Sequence, residues 1–499
     1  MIRIRRSTAP WKVPRRRSER GPGGLEAAQR EFLRARPAYA RTALVDDLRR
    51  REYARVDAGG HVYLDYGGGG LYAESQLATH LDFLRDRVLG NPHSINPTSS
   101  VSTALLERAR AAVLGYFGAS AAEYEVVFTA NATGALRLVG EAYPFAPGDR
   151  CLLTFDNHNS VNGLREFARA RGVATTYVPS LPGGLALDEA ELERCLDSLE
   201  PGRRGLFAFP AQSNFCGVQH PLEWIGRARA RGWDVVLDVA AFVPTNRLDL
   251  GRHRPDFAPV SFYKMFGYPT GVGCLLARRE ALAKLRRPWF SGGTIMAVTV
   301  LGDWHRLADG PPAFEDGTVN YLSLPAVEQG LDWLGNVGID VVHTRVQALA
   351  DWLLQELAAL RHASGRPAVR IYGPHGTRGR GATIAFNFLT PDGRVVDERL
   401  VDRVAASRKV SLRTGCFCNP GGGEIAFGVT LDSIAGFDAT SELTVDEYIA
   451  YMGLPSAGAV RVSLGLASNF ADVHRCIEFA RAFLDREGVP PDLPDRLGC

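Results

Sequence analysis

Between residues 62 and about 335, short apolar runs alternate with amphipathic stretches, and this alternation constrains the fold more than any other feature of the chain. The runs 125–129, 151–154, 175–178, 205–209, 235–238 and 273–277 read as strands, and 134–142 and 161–170 read as helices between them. Strand and helix in alternation argue for βαβ units. The expected class is therefore α/β, with a mostly parallel sheet whose ligands sit outside the carboxyl ends of the strands. Ahead of this region 25–51 reads as helix. Residues 62–66 read as a strand that runs into four glycines, Gly67 to Gly70, marking a turn or a close approach of another backbone. After about 335 the helical patterns lengthen, over 341–360 and 472–485, with strands near 384–388 and 459–463. The expected organisation is a disordered basic tail over 1–24, a helical segment over 25–60, a large domain over 61–335, and a smaller α+β domain over 336–499. The glycine-rich stretch 376–381 reads as a loop.

With 45% hydrophobic residues the chain buries a large core and is not disordered over most of its length. No apolar stretch approaches the roughly 18 residues of a spanning helix, so no membrane partner is expected. Eight cysteines, scattered from Cys151 to Cys499, make no dense disulfide framework and point to a reducing cytoplasm. The formal charge of +3 hides an asymmetry: residues 1–20 hold eight basic residues against Glu19 alone, and the body is mildly acidic. A basic arm is one way to touch nucleic acid, but this one lacks interleaved aromatics and reads as a solvated terminus, so no nucleic-acid partner is expected. Only four of the 58 basic residues are lysine (Lys12, Lys264, Lys284 and Lys409), which makes any chemistry needing a primary amine easy to localise.

Lys264 sits in Ser261-Phe262-Tyr263-Lys264-Met265-Phe266-Gly267, poorly placed for a solvated surface. Desolvation lowers a lysine's pKa and suits it to Schiff-base formation; a lysine whose stem merely covers apolar surface fits the local sequence equally well. Asp238 ends the hydrophobic run 233–238, where it either meets a ligand or caps a turn. The segment 129–134, Thr-Ala-Asn-Ala-Thr-Gly, follows a strand and opens a helix, the arrangement that binds phosphate through hydroxyls and free N–H groups. His158, just past another strand, stacks on a planar cofactor, works as an acid/base, or is a satisfied loop histidine. The most specific stretch is 413–423, Arg-Thr-Gly-Cys-Phe-Cys-Asn-Pro-Gly-Gly-Gly, in which two cysteines run into a flexible glycine-rich loop. C-x2-C spacing and a second pair are both missing, so no metal site is expected. A mobile, exposed loop suits a nucleophilic thiolate, with an inert loop cysteine as the alternative. Gly67 to Gly70 does not spell G-x-G-x-x-G, which excludes a dinucleotide fold.

Together, Ser261-Phe262-Tyr263-Lys264, Asp238, the Ala132-Thr133 loop and His158 resemble the class V aminotransferase superfamily, fold-type I enzymes that depend on pyridoxal 5'-phosphate (PLP). Within it, 413–419 resembles cysteine desulfurases. The chain is most similar to the desulfurase domain of molybdenum cofactor sulfurases, through 90–94, 156–158, 210–215, 314–318 and 460–463. The resemblance runs from about residue 60 to 485 and implies a PLP-dependent cysteine desulfurase. Lys264 would hold PLP covalently, Asp238 would pair with the pyridinium nitrogen, and His158 would stack on the ring and shuttle protons. Ala132, Thr133, Ser261 and Tyr263 would bind the phosphate, joined by Thr318 from a second subunit, which implies a homodimer. Asn214 would lie near the phenolic oxygen, and Arg413 and Arg461 would clamp the substrate carboxylate. Cys418 matches the persulfide position and Cys416 does not. The implied reaction moves sulfur from L-cysteine, or a cysteine derivative, to Cys418 and releases alanine. Two departures stand. Ala241 occupies a position where many cysteine desulfurases carry glutamine. The resemblance also leaves no room for the C-terminal domain into which molybdenum cofactor sulfurases continue, so a separate acceptor protein or pathway is expected to take the sulfur. The rival within the superfamily is an enzyme of other chemistry, a C–S β-lyase, epimerase or aminotransferase, which would not need Cys418.

Overall fold

In a computed structural model of the chain, which describes residues 22–434, 444–454, 456–486 and 493, the alternating region folds into one large sheet. Its strands are β1 (Tyr124–Thr129), β2 (Arg150–Thr154), β3 (Thr175–Val178), β4 (Gly205–Pro210), β5 (Trp233–Asp238), β6 (Phe257–Ser261) and β7 (Gly273–Arg278), in the order β1-β7-β6-β5-β4-β2-β3. The pairs among β2 to β6 are parallel, and β7 alone runs antiparallel, wedged between β1 and β6. Side chains alternate across the sheet into two cores: Val235 and Leu237 of β5 enter one, and Val236 enters the other. Both faces are covered, which is why these strands read as continuous apolar runs rather than as alternating ones. A smaller antiparallel sheet follows, made of β8 (Val369–Tyr372), β9 (Thr383–Phe388), β10 (Arg413–Gly415) and β11 (Ala459–Ser463) in the order β8-β9-β11-β10, with helix Ile339–Ala359 against it.

Several elements differ from the sequence reading. The helix expected over 25–51 is broken into Pro22–Ala35, a 3-10 turn Pro37–Thr42, and Leu44–Glu52. Pro37 has no N–H to continue the first helix. The strand expected over 62–66 is only Val62–Tyr63, and it pairs with Val410–Ser411 near the smaller sheet. The helix expected over 161–170 is split at Gly163 into Asn159–Asn162 and Leu164–Ala170. Strand β6 went unread because it contains Pro259, which donates nothing to a ladder. Its register with β5 is correspondingly short, a single Val236–Phe257 pair. The exposed hairpin Ile295–Thr299/Trp304–Leu307 was also unanticipated. Stretch 376–381 is a loop as read, yet its Arg380 is fully buried and donates to the carbonyls of Cys216 and Tyr372. The basic tail over 1–20 and Cys499 lie outside the described residues. Among the described residues no helix is long and apolar enough to cross a membrane.

Candidate functional site

The loops leaving β1, β2, β4, β5 and β6 at their carboxyl ends converge on one cavity. It is lined by Asn131, Ala132, Thr133, His158, Gln212, Asn214, Asp238, Ala241, Ser261, Tyr263 and Lys264. Parallel strands turn all these ends to one side, so residues more than a hundred positions apart meet there. Lys264 sits on a single helical turn, Phe262–Phe266, directly after β6. Burial pulls its pKa below the ordinary lysine value, and nearby Asp238 opposes that shift only in part. Asp238 is itself buried: its Oδ1 accepts the Ala240 amide at 3.0 Å, and Oδ2 meets no protein donor among the described residues. His158 caps Asn159–Asn162, with the Ser160 amide donating to Nδ1 at 3.1 Å. The neutral ring therefore carries its proton on Nε2. Burial lowers its pKa; Asp238 opposes this, while Lys264 and Arg461 reinforce it.

At the other end of the cavity, helix Ala132–Ala142 begins. The Ala132 amide already donates to Ser261 Oγ at 2.9 Å, so the Ser261 hydroxyl proton is the one left to donate. Thr133 Oγ1 lies 2.8 Å from Ser160 Oγ. A buried lysine, an unpartnered carboxylate oxygen facing it, a histidine beside them and hydroxyls at a helix start fit PLP. Thr318 is not brought into this cavity within one chain. It accepts from Asn91 Nδ2 at 3.2 Å and lines an adjacent cleft with Thr129, Ala130 and Gly134.

The cysteine stretch is not the flexible loop expected from its glycines. Pro420–Phe427 is a helix, its Gly421, Gly422 and Gly423 are buried, and Asn419 caps it by accepting from the Gly422 amide at 2.9 Å. A Cβ on Gly421 would sit 1.9 Å from the Phe155 carbonyl oxygen, so glycine there allows the helix to press against the loop that carries His158. Asn419, wholly buried, donates to the Asp156 carbonyl (2.7 Å) and to Asn214 Oδ1 (2.9 Å), while Asn214 Nδ2 donates to the Phe417 carbonyl (2.7 Å). The Asn159 amide donates to the Cys418 carbonyl at 2.6 Å. These bonds hold Phe417 and Cys418 in left-handed backbone, φ 56° and 53°, with the Cys418 side chain exposed. Burial lowers the pKa of both Lys264 and Arg461, and Cys418 lies close enough to each to oppose that shift slightly.

Arg413 and Arg461 face each other directly in the β10–β11 register. Like charges opposed across strands repel, and Asp65 reaches between them. Its Oδ2 accepts from Arg413 Nη2 (2.6 Å) and Nε (3.1 Å), and its Oδ1 from Arg461 Nη2 (3.1 Å). Arg461, 3% exposed, also donates to the Asn214 carbonyl at 3.0 Å and lies over the Phe417 ring. Asp65, Asn419 and Gln212 were missed from the sequence. Asp65 follows the strand Val62–Tyr63, and Asn419 follows Cys418, so both stood inside stretches already singled out. Gln212 holds the Ala241 carbonyl at 2.9 Å, at the position where relatives were expected to differ.

Residues 62–476 match the family model described as aminotransferase class-V. A molybdenum cofactor sulfurase from Bos taurus is 36% identical over 465 residues, covering 88% of this chain and 52% of the relative. The chain thus spans about half the length of the curated relatives it matches. An apo cysteine desulfurase from Thermococcus onnurineus NA1 superposes with a TM-score of 0.70 at 22% identity, covering 87% of this chain and 96% of that one. A C-DES mutant with glycine covalently linked to the PLP cofactor gives 0.64 at 17% identity, covering 87% and 98%. These structural likenesses establish the expected α/β architecture, the fold type I of PLP enzymes.

Proposed function

The chain belongs to the aminotransferase class-V family, and on that premise we propose that it is a PLP-dependent cysteine desulfurase that takes sulfur from L-cysteine on to Cys418 and releases alanine. The observation that carries this reading is the seating of Cys418. Hydrogen bonds from Asn214 and Asn159, both on loops that shape the Lys264 cavity, fix the backbone on either side of an exposed thiol. An inert loop cysteine has no use for such an anchorage.

When bound, PLP supplies an electron sink for negative charge developing next to the amine it carries. Lys264 would hold it, Asp238 would keep its ring nitrogen protonated, and Thr133, Ser261 and Tyr263 would meet its phosphate. Lys264 Nζ, driven toward the free amine by burial, takes the substrate's Cα proton. His158 holds its own proton on Nε2, facing the cavity. Arg461 and Arg413 orient the substrate carboxylate. The Cys418 thiolate then attacks the substrate sulfur. An S–S bond forms as the C–S bond breaks, and the electron pair left on carbon takes up a proton, giving alanine and a Cys418 persulfide. The persulfide goes to a separate acceptor. The same reading makes the enzyme a homodimer. Ile95, Val300 and Leu301 stand almost fully exposed, the last two at the tip of the hairpin that leads into the Thr318 segment. An apolar surface of this kind suits a subunit contact.

The test is alanine and sulfide release from L-cysteine by PLP-loaded protein, with Cys418→Ala and Lys264→Ala beside it. Alanine from the wild type and failure of both variants is the expected result. Pyruvate from the wild type, or full activity of Cys418→Ala, would replace this reading with β-lyase chemistry.

A further inference from the structure

The two arginines assigned to the substrate carboxylate are not waiting free. Both are already paired with one carboxylate of the chain itself, and the pairing is unequal. Arg461 is enclosed: its Nη1 serves the Asn214 carbonyl, its Nη2 serves Asp65 Oδ1, and its buried Nε has no partner among the described residues. A buried guanidinium nitrogen without an acceptor is costly unless a ligand completes it. Arg413 is the opposite case, with about half its side chain open to solvent and, among the described residues, hydrogen bonds to Asp65 Oδ2 alone. The glycines after Asp65 make this arrangement fit. A Cβ on Gly68 would lie 2.6 Å from Asp65 Oδ2 and 2.7 Å from Arg413 Nη2, and one on Gly67 would lie 3.2 Å from Arg461 Cζ.

We propose that Asp65 is an internal carboxylate that positions the two-arginine clamp and is exchanged, on the Arg413 side only, for the carboxylate of the incoming amino acid. This inference rests on the proposed function for the identity of that amino acid. Asp65 Oδ1 keeps Arg461 in place throughout. Arg413, half open to solvent, leaves Oδ2 and closes on the ligand, so that binding exchanges one carboxylate for another. Asp65 is a positioning residue. It sets how selectively the clamp answers to a carboxylate and so sets substrate affinity, and it touches no reacting atom.

The test uses PLP-loaded protein and reads the dissociation constants of L-alanine and of ethylamine, which lacks the carboxylate, from the visible absorbance of the cofactor. Asp65→Asn keeps an acceptor for Arg461 and removes the competing charge. It should bind L-alanine about three- to tenfold more tightly and leave ethylamine unmoved. With Arg413→Gln as background the same substitution should no longer tighten alanine binding. Unchanged or weaker alanine binding in Asp65→Asn, or an equal shift for ethylamine, overturns the exchange and leaves Asp65 a structural ion-pair partner. Should Asp65→Asn fail to fold, Asp65→Ser, which also removes the competing charge, carries the same expected results. A wild type that shows no cofactor absorbance sinks the proposed function and this inference together; normal absorbance without the alanine shift sinks this inference alone.

Discussion

At the scale of single residues, the sequence exposed what is chemically rare and hid what depends on a distant partner. Lys264 stood out because lysine is scarce here, and Cys418 because its neighbours form a long motif. Asp65 did not, since its meaning arises only where Arg413 and Arg461 arrive from far along the chain. Asn419 is the same kind of case, and it yields a direct prediction. Replacing it with alanine removes both bonds that tie the cysteine turn to Asp156 and Asn214. Cofactor absorbance should persist, while desulfuration falls about 10- to 100-fold, the usual cost of misplacing a reacting group by an ångström or so. Equal turnover in Asn419→Ala would show that the turn seats itself without that side chain. Lys264 supports a second prediction, on the apo-protein. Its native pKa is depressed, so below the ordinary value the unfolded chain binds a proton that the native state sheds. The contribution of this group to stability is present in full only above pH ~10.5 and is lost as pH falls. Apo wild type should therefore gain stability between neutral pH and pH ~10, and Lys264→Met should gain less. Parallel stability curves for the two proteins would refute a desolvated Lys264.

At the scale of elements, periodicity located most strands of the large sheet but misjudged those whose shape is set by contact. Strand β6 is held by β7 on one side and barely by β5 on the other, so its proline is tolerated in a place where sequence rules argue against a strand. The glycines after Cys418 signalled a loop. They instead let a helix press against the backbone at Phe155, which a single sequence cannot announce. A buried ion pair ties to β1 a helix that the sequence reading passed over. Arg110, on helix Pro97–Tyr116, donates to Glu315 at 2.9 and 2.7 Å, and Glu315 also accepts the Phe128 amide of β1 at 2.7 Å. Glu315→Ala strands a buried guanidinium and an amide together. The expected loss is about 3–5 kcal/mol, read from the shift in the urea midpoint. Glu315→Gln keeps acceptors for both donors and should cost clearly less. If the two substitutions cost the same, the retained acceptors contribute nothing and the loss comes from the missing charge.

At the scale of the whole molecule, the class of fold was legible in the alternation of strands and helices, while the way its parts are fastened was not. The clamp and the cysteine turn join the smaller sheet to loops of the large one, and the N-terminal helices are tied to helices Ile339–Ala359 and Phe470–Ala480 by Arg345 with Asp46 and Arg49 with Asp472. Three tyrosines, Tyr39 and Tyr372 buried and Tyr63 half-buried, set an alkaline limit on the fold. Tyr39 lies under the Arg345 guanidinium, Tyr63 begins the segment that delivers Asp65, and the Tyr372 hydroxyl donates to Asn387 within the smaller sheet. Burial pushes all three up to about 12, against about 10 in an unfolded chain. From pH ~10 to ~12 the native state thus holds protons that the unfolded state has lost. The stability these groups contribute is complete below pH ~10 and disappears as pH climbs through the native values. The unfolding midpoint should drop steeply once pH climbs past ~10. Phenolate absorbance from these three should rise only together with loss of helical circular dichroism. A single wave near pH 10, with all fifteen tyrosines ionised and the helices intact, would mean that these hydroxyls are open to water and the layers are not fastened as described.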